Sequence, residues 1–206
     1  MNRKLVQGVG TNDAGYVVDL RENIGYINGK QKQKLIWSCP FYATWRTMLC
    51  RGYSEKLKAR YPTYKDVSVC PEWHLFSTFK AWMETQDWED KHLDKDILIP
   101  GNKVYSPKTC VFVTAQVNLF LGDCSASRGK YMIGCYWSKK SSKFMALCRN
   151  SFTGKSDYLG LFESELEAHQ AWLKRKLELA YQLAALQSDE RVSNALIERY
   201  ENYRGK

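Results

Sequence analysis

The sequence predicts an α+β fold, and three observations carry that expectation. Apolar residues recur at helical spacing after Pro40 and again after Glu72; a strand, loop, strand, helix run fills residues 93–121; and three short β-type runs precede a capped helix at Ser164. The 206 residues, 44% hydrophobic and 14% aromatic, suffice for one or two packed domains and rule out wholesale disorder. No stretch approaches ~18 uninterrupted apolar residues, and the basic start lacks an apolar h-region, so no membrane partner and a cytoplasmic location are expected.

Residues 1–36 hold five of the thirteen glycines and read as short strands or an extended arm, with Asn28-Gly29 as a hairpin turn signal. After Pro40, the spacing of Tyr42, Trp45, Leu49 and Tyr53 predicts a helix with Arg46 and Arg51 off its apolar stripe. A second helix is expected from Glu72, with Phe76, Phe79 and Met83 on one face. Residues 61–66 read as a loop and 67–69 as a short strand at best. The run Leu93–Ile99 reads as a strand, Pro100–Lys103 as a turn and Cys110–Val113 as a second strand. Thr114 then caps a helix that runs past Asn118 to Leu121.

The small polar stretch after Gly122 places a linker at 123–130. Beyond it, Gly134–Trp137, Lys143–Cys148 and Lys155–Phe162 read as strands. Ser164 and Glu167 form a capping box for a long helix whose apolar face is expected to include Leu166, Ala171 or Gln170, Leu173, Leu177, Ala180 and Leu183. A terminal helix restarts at Ser188, striped by Val192, Leu196 and Tyr200.

Seven cysteines without one C-x-x-C pair fit neither a disulfide framework nor a four-cysteine zinc site and read as buried, reduced thiols. Three histidines nearly exclude a multi-histidine metal centre. The net charge of +9 is spread as +3 over residues 1–36, +2 over 37–122, +4 over 123–187 and zero over 188–206. The densest basic stretch, from Arg128 to Lys155, faces only Asp123 as an acid, which suits a polyanion.

Asp94 and Asp96 flank Lys95 beside an apolar run, and paired carboxylate oxygens are what a hard divalent cation takes. Asn118 could add an amide oxygen from the following helix. A D-x-D is weak alone, but the run Leu93-Asp94-Lys95-Asp96-Ile97-Leu98 with Gly101–Val113 resembles the HNH segment of bacteriophage homing-type endonucleases. The helix containing Trp45, Arg46, Met48, Gly52 and Tyr53, and the stretch from Val69 to Phe79, are similar to the same family, so the likeness covers residues 37–122.

That resemblance implies a ββα-metal nuclease unit flanked by helices, acting on double-stranded DNA with one divalent metal ion, Mg2+ or alternatively Mn2+. It implies Asp94 and Asn118 as metal ligands, and Asp94, Lys95, Asp96, Tyr105 and Asn118 as the catalytic set, with Lys103 as a DNA contact. Two positions depart from the family pattern: Lys95 stands where the base histidine is expected, and Thr109 where an asparagine is. A lysine is ordinarily protonated at pH 7, so Lys95 is either a phosphate ligand or a base of lowered pKa, and water activation passes in the former case to the metal, Asp96 or Tyr105. One metal implies one strand cut per site, a nick by a monomer or a double-strand break by a homodimer.

Residues 131–175 carry a second likeness. Gly134, Trp137, Lys143, Phe144 and Ala146, then Tyr158-Leu159-Gly160, Phe162, Ser164, Glu167 and Ala168, resemble the plant ethylene-response-factor, or APETALA-type, DNA-binding domain. This implies a three-stranded antiparallel sheet with a packed helix, with Tyr136 or Trp137, Lys139, Lys140, Lys143 and Arg149 on DNA. The expected organisation is thus an arm (1–36), a nuclease domain (37–122), a linker (123–130), a targeting domain (131–187) and a terminal helix (188–206), working in a host cytoplasm. The competing expectation is a DNA-binding or regulatory protein that keeps a degenerate HNH scaffold without cleavage.

Overall fold

Asn28 and Gly29 both sit at positive φ, +52° and +71°, and turn the chain from strand β1 (Asp19–Ile27) into strand β2 (Lys30–Ser38). A two-residue type I′ loop demands positive φ at both positions, which is why Asn-Gly closes hairpins. The computed structural model, which describes residues 5–122 and 129–203, is a mixed α+β protein with small sheets. It divides into two units, Met1–Phe112 and Val113–Lys206.

In the first unit the hairpin stands exposed along nearly its whole length, with a bulge at Gly25, where φ is +104°. Its root is tied down by the Asp19 carboxylate, which accepts from Ser38 Oγ at 2.6 Å, Arg46 Nη1 at 2.9 Å and Arg21 Nη2 at 3.1 Å. Partial burial works against ionisation of Asp19, but the Ser38 hydroxyl and the two guanidinium groups outweigh it and hold its pKa below the ordinary value.

Helix α1 (Pro40–Tyr53) starts on a proline, whose missing N–H costs nothing in a first turn. It buries Tyr42, Trp45, Met48, Leu49 and Gly52, a wider stripe than the sequence spacing suggested. Trp45 donates its indole N–H to the Trp73 carbonyl at 2.7 Å, satisfying a polar atom that would otherwise be stranded in the core. The residues around Gly10 cross this helix so closely that a Cβ there would fall 2.3 Å from Leu49 Cδ1. Helix α2 (Glu55–Arg60), capped by Ser54, falls where no helix was expected. The helix expected from Glu72 is instead a 3-10 turn (Pro71–His74) and a separate helix, α3 (Phe76–Met83). Leu75 between them is extended, because Thr11 intercepts the chain there: its N–H donates to His74 O and its carbonyl accepts from Phe76 N.

Strand β3 (Ser68–Val69) pairs in parallel with β5 (Val104–Tyr105), and β4 (His92–Asp94) pairs with β6 (Val111–Val113). The strand expected over 93–99 therefore ends at Asp94, and the chain bends after it.

The second unit begins at the end of β6 and contains helix α4 (Ala115–Leu121), whose N-cap Thr114 accepts from Val117 N at 3.3 Å. Strands β7 (Cys135–Ser138), β8 (Lys143–Arg149) and β9 (Ser156–Phe162) form an antiparallel sheet in that order. Helix α5 (Glu165–Ala184) packs on it and carries the capping box of Ser164 and Glu167. Of the expected face Ala180 and Leu183 are buried, Ala171, Leu173 and Leu177 half-buried and Leu166 exposed, while Ala168, His169, Trp172, Lys176, Leu179 and Ala184 are buried beside them. The helix has two neighbours to satisfy, since helix α6 (Glu190–Glu201) also packs on it with Val192, Leu196 and Tyr200 buried. The carbonyl end of α4 is capped from α5 and α6: Phe120 O accepts from Lys176 Nζ at 2.7 Å and from Tyr200 OH at 3.3 Å, and Leu121 O from Arg199 Nη2 at 3.4 Å. Two cations thus meet the negative end of a helix dipole. The expected linker 123–130 lies almost wholly outside the described residues.

Six described cysteines are free thiols, four of them buried, and burial pushes Cys110 up to about 12 and Cys148 up to about 11.

Candidate functional site

Asp94 closes β4, and its Oδ1 accepts from the backbone N–H groups of Asp96 and Ile97, each at 2.8 Å. This turn bends the chain away from the sheet, so Asp94, Lys95 and Asp96 do not alternate as they would on one straight strand. Both amides converge on Oδ1, and Oδ2 accepts from neither. Burial first, and the neighbouring Asp96 carboxylate second, raise the pKa of Asp94 although the two amides oppose the shift.

Lys95 is buried. Its Nζ donates to Asn102 O at 2.9 Å and lies 3.2 Å from Asp96 Oδ2, while Asn102 Nδ2 donates back to Lys95 O and to Val104 O. Lys95 and Asn102 therefore clamp the loop that joins β4 to β5. Thr109 braces the next loop, between β5 and β6, donating to Val104 O at 2.8 Å and sharing a hydrogen bond with Ser106 Oγ at 2.9 Å.

Tyr105 is buried, and burial pushes its phenol up to about 12 against the pull of Arg51, whose Nη1 donates to Tyr105 OH at 3.3 Å. At neutral pH that phenol is protonated. Arg51 also lies over the Tyr64 ring at 5.9 Å; desolvation disfavours its charge, yet Tyr105, Tyr64 and Asp94 more than offset this and keep its pKa raised. The Asp94 region is therefore a set of Asp94, Arg51, Tyr105 and Tyr64, and sequence reasoning omitted Arg51 and Tyr64. The one signal for them was an arginine off the apolar stripe in the last turn of α1. His92 and Lys103 are exposed, the latter donating to Thr63 O at 3.4 Å. His74, half-buried, pairs with Tyr53 OH at 2.9 Å. Asn118 is a half-buried residue of α4 and belongs to the second unit, whereas Asp94 belongs to the first.

Among the described residues no group of three or more His, Cys, Asp or Glu side chains gathers where it could hold a metal ion. Asp94 and Asp96 alone offer hard oxygen donors of the kind Mg2+ accepts, an ion that keeps several waters and needs only one or two carboxylates. That much fits, with the Lys95 ammonium as a competitor for Asp96.

In the sheet, register decides which side chains face outward. Cys135 pairs with Ala146 and Trp137 with Phe144, so these four share one side, on which Cys135, Ala146 and Phe144 pack with Ala168 and Ala171 of α5 while Trp137 stays 42% exposed. Trp137 accordingly meets the Phe144 ring edge-on at 4.9 Å. Tyr136 pairs with Met145 and is 52% exposed on the open side. Tyr158 pairs with Leu147 on that same side and is 61% exposed, and Leu161 pairs with Met145. Lys143 and Arg149 stand at the two ends of β8 on this face, Lys143 paired with Glu163 and Arg149 exposed. Lys139 and Lys140 are exposed in the β7–β8 turn. The open face is thus two tyrosines and three aliphatic side chains bracketed by cations. Tyr158, Met145, Leu147 and Leu161 were not among the expected contacts.

The β8–β9 turn is held by Asn150, which donates to Asp157 Oδ2 at 3.0 Å and accepts from Phe152 N at 2.9 Å, while Arg175 fixes Asp157 at 2.9 Å. Behind the sheet, Gly134 has φ +83°, and a Cβ there would lie 2.2 Å from Trp172 Cγ, so α5 closes on the backbone itself.

No helix among the described residues is long and apolar enough to cross a membrane. No protein-family model, no curated protein and no solved structure matches the chain.

Proposed function

We propose that the chain is a metal-dependent DNA endonuclease of phage homing type, hydrolysing phosphodiester bonds at sites chosen by the sheet of its second unit. The observation that supports this most is the succession of β4, a clamped loop, β6 and a Thr114-capped helix, with a partly buried carboxyl of raised pKa closing the first strand. A cation at Asp94 would reverse that shift, since its charge favours the carboxylate.

Asp94 would hold the divalent ion, Mg2+ or Mn2+, with Asp96 as a further oxygen donor. The ion, when bound, supplies charge neutralisation at the scissile phosphate and at the leaving oxygen. Arg51 adds a cation fixed by Tyr105, suited to binding a phosphate oxygen. Asp96, about half exposed and paired with Lys95, is the carboxylate positioned to accept a proton from water; the protonated phenol of Tyr105 is suited to donating. On the open sheet face, Tyr136 and Tyr158 offer aromatic surface, and Lys139, Lys140, Lys143 and Arg149 offer charge to phosphates.

A second reading is a DNA-binding protein without cleavage. It is favoured by Lys95, which stands in the place of the base histidine but is buried and committed to Asn102 O and Asp96. Supercoiled plasmid incubated with the protein and Mg2+ or Mn2+ separates the two. Nicked or linear product, reduced at least about 100-fold in Asp94→Ala with gel-shift affinity kept, supports the enzyme. Tight binding with no cleavage under any divalent ion selects the second reading.

A further inference from the structure

The β1–β2 hairpin takes no part in the surfaces described above, yet it is exposed along both strands. An isolated two-stranded ribbon is marginally stable in water, and this one is held chiefly at its root by Asp19, Ser38 and Arg46. Its outer part presents Lys30, Lys32 and Lys34 on β2 at every second residue, all exposed. Alternation puts them on one face, opposite Ile27 and Glu22 across the register. Glu22, beside Lys34, is the one acid in the hairpin outside the root. Residues two apart on a strand are separated by roughly 6.6–6.8 Å, and successive phosphates of one DNA strand, which climb about 3.4 Å along the axis while also turning about it, lie at about the same through-space interval. Three cations in a row at that interval match three neighbouring phosphates.

We propose that this hairpin is a second DNA-binding element, an arm whose Lys30, Lys32 and Lys34 lie along one phosphate strand of duplex DNA. The proposal rests on DNA being the partner of the chain, as in the function proposed above, but not on cleavage or on the sheet. Charge decides the occupant. A second copy meeting this face about a two-fold axis would set the lysine row against itself, and like charges brought together cost energy, whereas a phosphate row releases counterions. The same lysines could merely keep a bare strand edge from pairing, and that role would leave DNA affinity untouched.

The test is fluorescence anisotropy of a labelled duplex of about 30 base pairs, titrated at several salt concentrations without divalent ions. Wild type is compared with K30Q/K32Q/K34Q, with K30R/K32R/K34R and with the sheet variant K143Q/R149Q. The glutamine triple should flatten the slope of log affinity against log salt by up to about 2.7, roughly 0.9 for each phosphate no longer neutralised, across unrelated sequences alike; the arginine triple should keep the wild-type slope. If the sheet variant flattens the slope while the glutamine triple does not, the arm proposal is overturned and the DNA reading stands. If wild type binds no duplex, both are overturned. A glutamine triple that changes only the oligomeric state or solubility, at unaltered slope, overturns the arm in favour of a protein contact or edge protection.

Discussion

Lys176 Nζ sits 3.6 Å from the centroid of the Phe120 ring and donates to the carbonyl of the same residue at 2.7 Å. One ammonium thus serves a ring and the carbonyl end of α4 together, inside a buried space shared with Tyr200. Lys176→Met keeps most of the stem but removes the donor and the charge. It should cost roughly 1.5–3 kcal/mol, the range for a hydrogen bond to a charged group, read as a lower urea midpoint at unchanged m-value. An unchanged midpoint would show that Tyr200 alone suffices for that carbonyl.

Gly134→Ala should be far more damaging than its size suggests. The new methyl meets Trp172 at a positive φ, so both the strand entry and the indole must move. A loss of about 2–3 kcal/mol is expected, with loss of near-ultraviolet tryptophan dichroism.

The register of β7 makes opposite predictions for adjacent aromatics. Tyr136→Ala should weaken duplex binding by roughly 1.5–3 kcal/mol, the range for a hydrogen bond to a charged group, here a phosphate, with little change in melting temperature. Trp137→Ala should lower the melting temperature through its contact with Phe144, and its effect on affinity should be the smaller of the two. The reverse ranking would place the DNA on the helix side of the sheet.

Asp94 gives the pH signature. Its pKa is raised in the folded state, so the folded form favours the proton. The associated stability is present below the unfolded value of about 3.9 and is lost as pH climbs through the folded value. Asp94→Asn, which still offers Oδ1 to the amides of Asp96 and Ile97, should therefore melt higher than wild type at pH 7, by roughly 2–4 °C if about 1 kcal/mol is recovered. The gain should vanish near pH 3.5, and millimolar Mg2+ should narrow it at pH 7 by stabilising wild type alone.

Asp19→Ala should loosen the hairpin without unfolding the rest. Removing the carboxylate strands Ser38 and Arg46 at the root, so amide protection across 19–38 should fall at least about tenfold in hydrogen exchange while global stability drops by about 1 kcal/mol or less. Equal loss throughout the first unit would mean that the hairpin and the α1 core unfold together.

What was legible in the sequence is what local chemistry dictates. Ser164 with Glu167, Thr114 before α4, and Asn28-Gly29 each specify their own backbone within four residues, and each stands where the sequence put it. The break at Leu75 was not legible, because the group that intercepts it, Thr11, lies more than sixty residues away. The apolar face of α5 was only partly legible, with Ala180 and Leu183 right and Leu166 wrong, for a related reason: periodicity assumes one partner, whereas this helix packs on both a sheet and α6. Around Asp94, spacing identified the carboxylates but not their fate, since capture of Oδ1 by two amides, the Lys95–Asn102 clamp and the Arg51–Tyr105 pair all depend on how loops and helices meet.

The capping of α4 from α5 and α6 has a consequence for cutting the gene into pieces. A fragment that stops at Gly122 keeps the helix but discards Lys176, Arg199 and Tyr200, leaving its last carbonyls and the Phe120 ring to water. A fragment that opens just before Thr114 carries the N-cap, the helix and all three donors together. For expression of the separate halves, the strand before the helix is thus the safer place to divide the polypeptide than the polar stretch after it.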